Sequence, residues 1–347
     1  MAINLIEYLE ESAGRFPDKL AVSDEKTELT FSELRKNAMA LASYINEITG
    51  AVSMPVAVEA DRCTESLVMF LGVLYSGNYY VPIDNKMPED RVDIILKDVD
   101  PALCLNINEK SFFNKFNVKN TNYETVIKHE PDEIVLDRIR ENIIDTDPCY
   151  IMYTSGSTGI PKGVVISHRM VMDFADFLSD TFGIDENDIL ANQAPFYFDC
   201  SVKCICQMLR NGCTMYIMKQ KYFMFPIRAI EFFNEKKITT LLWATSGLNI
   251  LSSSGVFDKL KPETVNKVFF SGEMLYAKDY LLWKEACPED SLFVNLYGPT
   301  EVTVDCAYYI ISREFDREDV IPIGKACRNM NVYLLDENNR IVRGNEI

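Results

Sequence analysis

Apolar positions alternate between helical and extended registers along the first hundred residues. Leu34, Ala38, Leu41, Ala42 and Ile45 stand at i, i+4, i+7, i+8 and i+11, one face of a helix. Ahead of them, Thr30-Phe31-Ser32-Glu33 sets a hydroxyl three residues before a carboxylate, which satisfies the free N–H groups of a helix start. The apolar run at 55–58 predicts a strand, Leu67, Phe70, Leu71 and Leu74 predict a second helix closed by Gly77, and the run at 79–83 predicts another strand. Pro88 opens a further helix that carries Val92 and Ile95, and 102–105 is again strand-like. Strands that take turns with helices run parallel, and the helices cover the sheet.

The alternation lapses over 106–145, a charged stretch read as a connector, and resumes with Cys149-Tyr150-Ile151-Met152-Tyr153. From Ile189 onward a second series predicts strands at 214–218, 238–242, 268–270 and 292–295, with a helix around 229–233. Over 331–342 two apolar runs flank Asp336-Glu337-Asn338-Asn339, the pattern of a hairpin. The expected fold class is α/β: two α/β lobes with mostly parallel sheets covered by helices, plus the start of a small β-barrel subdomain. The expected divisions are 1–187, 188–312 and 313–347.

Composition narrows the function. Of 347 residues 48% are hydrophobic, enough for a large core, which excludes a disordered chain. Lys and Arg number 35 against 52 Asp and Glu, a net charge of −17 that repels phosphate backbones. No nucleic-acid partner is expected, and an anionic substrate must be held by local groups. The first ten residues carry Glu7 and Glu10 and no base, the wrong polarity for a secretory signal, and Ser76-Gly77-Asn78 interrupts the longest uncharged window, so no membrane span is expected. Ten cysteines occur without a Cys-x-x-Cys pair, and Cys200, Cys204 and Cys206 have no His nearby, which reads as buried thiols in a reducing cytoplasm.

The densest chemical signal is Thr154-Ser155-Gly156-Ser157-Thr158-Gly159-Ile160-Pro161-Lys162-Gly163, between the apolar run ending at Tyr153 and a strand at 164–166. Hydroxyls and glycines leave backbone N–H groups uncovered and free to curl around phosphate oxygens, with Lys162 as a point charge. The bland alternative is a flexible hairpin tip. It is not a Walker loop, because Gly163 stands where a magnesium-binding Ser or Thr belongs and a strand follows. Asp199, after Phe196-Tyr197-Phe198, is a carboxylate in apolar company and needs either a basic side chain or a ligand cation. Tyr297-Gly298-Pro299-Thr300-Glu301 taken alone is a turn with an acidic end, but it follows the run 292–294, where open α/β sheets bind ligands. His168 reads as a hydrogen-bonding residue at a helix start.

With these segments in view the chain resembles the adenylate-forming superfamily, specifically an amino-acid adenylation domain of the nonribosomal peptide synthetase or D-alanine–carrier-protein ligase kind. The glycine- and hydroxyl-rich loop is similar to the family's phosphate loop. Leu29-Thr30-Phe31-Ser32-Glu33-Leu34, Leu74-Tyr75-Ser76-Gly77-Asn78-Tyr79-Tyr80-Val81-Pro82-Ile83-Asp84, Phe198-Asp199-Cys200-Ser201-Val202 and Asn295-Leu296-Tyr297-Gly298-Pro299-Thr300-Glu301 agree with the family in order. The resemblance implies an ATP- and Mg²⁺-dependent ligase that activates an amino-acid carboxylate as aminoacyl-AMP, with a carrier-protein phosphopantetheine thiol as later acceptor. It implies that Thr154, Lys162, Thr300 and Glu301 serve the reaction, Glu301 on the magnesium. Thr154, Ser155, Gly156, Ser157, Thr158, Gly159 and Lys162 would hold phosphates, and Gly272, Glu273, Asn295, Tyr297, Gly298 and Thr300 the rest of the nucleotide. Asp199 would hold the substrate ammonium, with Cys200, Lys203, Leu242, Phe269, Ser271, Leu296, Val304 and Asp305 around the side chain. Lys203 and Asp305 either pair with each other or one of them faces a polar substrate group. Asn192-Gln193-Ala194-Pro195 is similar to the D-alanine ligase branch, which implies a small amino acid.

The chain departs from the family pattern at its end, stopping before the ribose-binding Tyr-Arg-Thr-Gly-Asp segment and the small C-terminal domain with its catalytic lysine, so a fragment is expected. An acyl- or aryl-CoA ligase, which does not need Asp199, and an inactive nucleotide-binding module are the alternatives.

Overall fold

A computed structural model describes residues 2–109, 112–155 and 161–342. The capping signal read in the sequence opens the helix Phe31–Thr49: Glu33 N–H donates to Thr30 Oγ1 at 3.2 Å and Thr30 N–H donates to Glu33 Oε2 at 2.9 Å. This helix and the helix Thr64–Tyr75 pack against each other beside a six-stranded sheet. Its order is Asn120–Asn122, Leu103–Asn106, Pro55–Ala60, Tyr79–Asp84, Pro148–Ser155, Pro161–Ser167. All pairs are parallel except the last, a hairpin in which Thr154 faces Lys162. Pro55–Ala60 is buried on both faces and its side chains alternate between two cores: Val56 and Val58 join the main core, while Ala57 faces a smaller cluster with Val81, Val92 and Ile95.

The second sheet has nine strands, with Leu292–Tyr297, Lys267–Ser271, Thr240–Ala244, Ile189–Asn192, Thr214–Ile217 and Leu20–Ser23 forming a parallel centre. Glu28–Thr30, Ala307–Ile310 and Lys325–Ala326 add antiparallel edges. Leu242, Phe269 and Val294 point into the same core as Val56, Val58 and Leu103 of the first sheet, so a layer of helices, including Leu5–Arg15, His168–Phe182 and Cys200–Asn211, is shared between the sheets. Leu241, Trp243, Val268 and Phe270 face a second core on the far side.

Two expectations are corrected. The unit drawn over 1–187 does not follow the sheets, because Leu20–Ser23 pairs in parallel with Thr214–Ile217, Val22 opposite Met215, and carries Glu28–Thr30 into the large sheet. Local apolar pattern marks a strand but not its partner. The connector over 106–145 holds the strand Asn120–Asn122 and the helices Tyr123–Val126 and Glu133–Arg140. These are polar: Glu133–Arg140 buries only Leu136, so no stripe announces it. The hairpin expected at 331–342 appears as a bridge between Leu335 and Ile341. His168 starts its helix and accepts a hydrogen bond from Leu5 N–H at Nδ1, 3.2 Å away.

Candidate nucleotide and substrate site

The chemistry-bearing residues converge on the carboxyl ends of the large sheet. Ser271 ends one strand, and Asn295, Leu296 and Tyr297 end its neighbour. From Tyr297 the chain turns through Gly298, Pro299 and the one-turn 3-10 helix Thr300–Val302, then doubles back through Thr303 and Val304 at φ of 65° and 70°. Few β-branched residues hold that backbone conformation, and here it delivers Asp305 inward. Gly298 is set by close approach: a Cβ there would lie 2.5 Å from Asp305 Cα and from Val304 O.

Asp305 reaches a fully buried ion pair. Lys203 Nζ lies 3.1 Å from Asp305 Oδ2 with both side chains at 0% exposure, and Ser271 Oγ donates to Asp305 Oδ1 at 2.7 Å. Burial alone would lower the pKa of Lys203, but the Asp305 carboxylate outweighs it and the ammonium is held above its usual range. The pair with each other, one of the two arrangements the sequence left open, is present. Lys203 sits in the helix Cys200–Asn211, one turn after Asp199 at its N-cap position. Asp199 has no capping hydrogen bond, and among the described residues no basic side chain stands within 4 Å of it. Burial pushes its carboxyl pKa up, opposed by the Thr300 hydroxyl and, at longer range, by Lys203. Cys200 is a half-buried thiol beside Ser271, its pKa also raised by burial. Leu242, Phe269, Leu296 and Val304 are all buried around this cluster's strands.

The nucleotide side is more open. Asn295 Nδ2 donates to the carbonyls of Ile321 and Pro322 at 3.2 and 3.0 Å, which fixes the amide and leaves Oδ1 buried without a donor. Gly272 has φ 83° and free space where a Cβ would stand. Glu273, Tyr297 and Glu301 are exposed. Lys162 is exposed at the start of the strand Pro161–Ser167, which approaches the Thr300–Val302 turn and so brings the two sequence motifs together. Thr154 and Ser155 end the facing strand, whereas Gly156, Ser157, Thr158 and Gly159 lie outside the described residues. An orphaned buried acceptor, an uncovered glycine and a lone hard carboxylate fit a purine with an exocyclic amine and a Mg²⁺ held mostly by phosphates. No group of three or more metal-binding side chains occurs among the described residues. Sequence reading missed Thr303, whose Oγ1 is buried and unpartnered, and the buried Tyr150 hydroxyl, also unpartnered, whose phenol feels the charge of Asp199. Neither type signals such a place in sequence.

Known proteins are similar to this chain in sequence and in fold. Bacitracin synthase 3 of Bacillus licheniformis is 29% identical over 344 residues, covering 97% of this chain and 5% of that protein. Tyrocidine synthase 3 of Brevibacillus parabrevis is 28% identical over 340 residues, covering 98% of this chain and 5% of that protein. The chain thus spans a small part of the length of these relatives. Among solved structures, the nonribosomal peptide synthetase FmoA3 superposes with a TM-score of 0.85 at 22% identity, covering 98% of this chain and 36% of that one. The N-terminal subdomain of Klebsiella oxytoca NpsA, in complex with 3-hydroxybenzoyl-AMSN, superposes at 0.82 with 19% identity, covering 99% and 86%. These two share the fold. The family described as AMP-binding enzyme matches residues 9–347, and the chain belongs to it.

Proposed function

We propose that this chain is an amino-acid-adenylating unit of an AMP-forming ligase, of the kind used in nonribosomal peptide synthesis. It would join an amino-acid carboxylate to the α-phosphate of ATP with release of pyrophosphate, and the aminoacyl group would pass later to a carrier-protein phosphopantetheine thiol. Asp199 carries this reading: a carboxylate in a partly buried site, without a basic side chain in contact among the described residues, is a receptor for a ligand cation. The free acceptor of Asn295 suits the adenine amine, with Tyr297 stacked on the ring and Gly272 and Glu273 at its other face. Lys162 and the loop from Thr154 would neutralise the outer phosphates, Thr300 would stand at the α-phosphate, and Glu301 would hold the metal. Bound Mg²⁺ supplies charge neutralisation between the two anions that must meet. Ten free thiols suit a reducing cytoplasm.

The test is pyrophosphate exchange with the twenty amino acids and a set of short fatty and aryl acids, repeated with Asp199→Ala. Removing one partner of a buried charge pair costs about 3–5 kcal/mol, so amino-acid affinity should fall roughly a hundredfold or more while ATP binding survives. Exchange with acids that lack an ammonium, or unchanged affinity in Asp199→Ala, would establish the acyl- or aryl-ligase reading instead.

A further inference from the structure

The buried pair next to Asp199 restricts what it can accept. Lys203 Nζ has three N–H donors, and among the described residues one acceptor, Asp305 Oδ2, meets them. A wholly buried ammonium with donors to spare is costly until an acceptor arrives. Asp305 is better served, taking Lys203 on Oδ2 and the Ser271 hydroxyl on Oδ1. Thr303 Oγ1, on the same turn as Asp305, is a buried polar atom without a partner among the described residues. The charges already balance: Lys203 cancels Asp305, and Asp199 would cancel an α-ammonium. A side-chain carboxylate or ammonium entering here would be an unpaired buried charge. A hydrocarbon side chain would leave the spare donors dry.

We propose that the amino acid this site selects has a neutral side chain bearing a hydrogen-bond acceptor, a hydroxyl or a carboxamide, received by the unused donors of Lys203. This rests on the amino-acid reading of Asp199 and names the substrate class within it.

Aminoacyl sulfamoyl adenosines, unreactive mimics of an aminoacyl adenylate, test it by calorimetry. They are used in near-isosteric sets: threonyl with valyl, seryl with alanyl, and asparaginyl with leucyl and aspartyl. In whichever set binds most tightly, the neutral acceptor-bearing member should win by about tenfold or more over the hydrocarbon. Aspartyl should fall about a hundredfold below asparaginyl. In Lys203→Met/Asp305→Leu, which removes both charges together, the hydrocarbon member should draw level or lead. The wild-type comparison decides the matter even if that variant does not fold. A hydrocarbon or aspartyl conjugate binding the wild type at least as tightly as its neutral polar mate overturns the inference alone, provided Asp199→Ala still weakens every conjugate. If no aminoacyl conjugate binds better than sulfamoyl adenosine itself, the amino-acid reading falls and the inference with it.

Discussion

His168 and Asp199 are ionisable groups whose neutral forms are favoured by burial, with different consequences. His168 is 2% exposed and its Nδ1 must stay unprotonated to accept from Leu5 N–H. Burial drives its pKa from the usual 6.5 to about 4, weakly opposed by Asp147. Between those two values the unfolded chain binds a proton that the native chain refuses, so stability falls as pH falls through that window, by up to about 3 kcal/mol near pH 4. In His168→Asn the amide oxygen keeps the acceptor and loses the titration. Urea midpoints at stepped pH should therefore decline less steeply in the variant than in the wild type, by about one proton between pH 6.5 and 4, and equal slopes would show that His168 does not titrate with folding. The role of His168 as a helix-start acceptor was legible from its position after the loop. That Lys203 and Asp305 would pair was one of two arrangements left open, since 102 residues separate them and the reversal at Thr303 and Val304 that joins them has no signal in the sequence.

Strand and helix alternation was readable because apolar period is a local property, and each expected strand from 55 to 295 lies within two or so residues of its observed place. What stayed hidden were polar edge elements such as Asn120–Asn122 and the crossing of Tyr297–Cys306, where steric contact rather than pattern decides. Gly298 exposes that crossing to test. In Gly298→Ala the new methyl must push the Asp305 backbone away, since 2.5 Å is well inside contact, and Asp305 is the counter-ion of a buried ammonium. We expect a loss of about 2–4 kcal/mol of stability, measured by chemical denaturation, together with weakened binding of the aminoacyl conjugates. A variant of wild-type stability would mean that the turn yields without moving Asp305.

At the scale of the whole molecule, the sheets cannot be separated by cutting the chain once, and no sequence pattern announces this because it depends on which strand finds which partner. Residues 20–30 belong to the large sheet, while the helix that follows them packs with Thr64–Tyr75 beside the small one. The helix Leu5–Arg15 ties both sides. Its Glu10 accepts from Arg35 Nε at 2.8 Å, lies 3.4 Å from Arg140 and takes the Tyr75 hydroxyl, while Tyr8 donates to Asp176 and Ser12 to the Leu209 carbonyl. Trp243 and Trp283, the two tryptophans of the sequence, sit in the core on the far face of the large sheet and report that face alone. If the shared helical layer couples the sheets, tryptophan fluorescence and far-ultraviolet circular dichroism should trace one unfolding transition in urea with the same midpoint. Glu10→Ala, which removes the ion-pair partner of Arg35 and the acceptor of the Tyr75 hydroxyl on the small-sheet side while Arg140 keeps Asp137, should then lower both midpoints together, by the equivalent of about 1–3 kcal/mol. A dichroism curve that splits while fluorescence holds its midpoint would mean that the sheets unfold as separate units and that Leu5–Arg15 does not couple them.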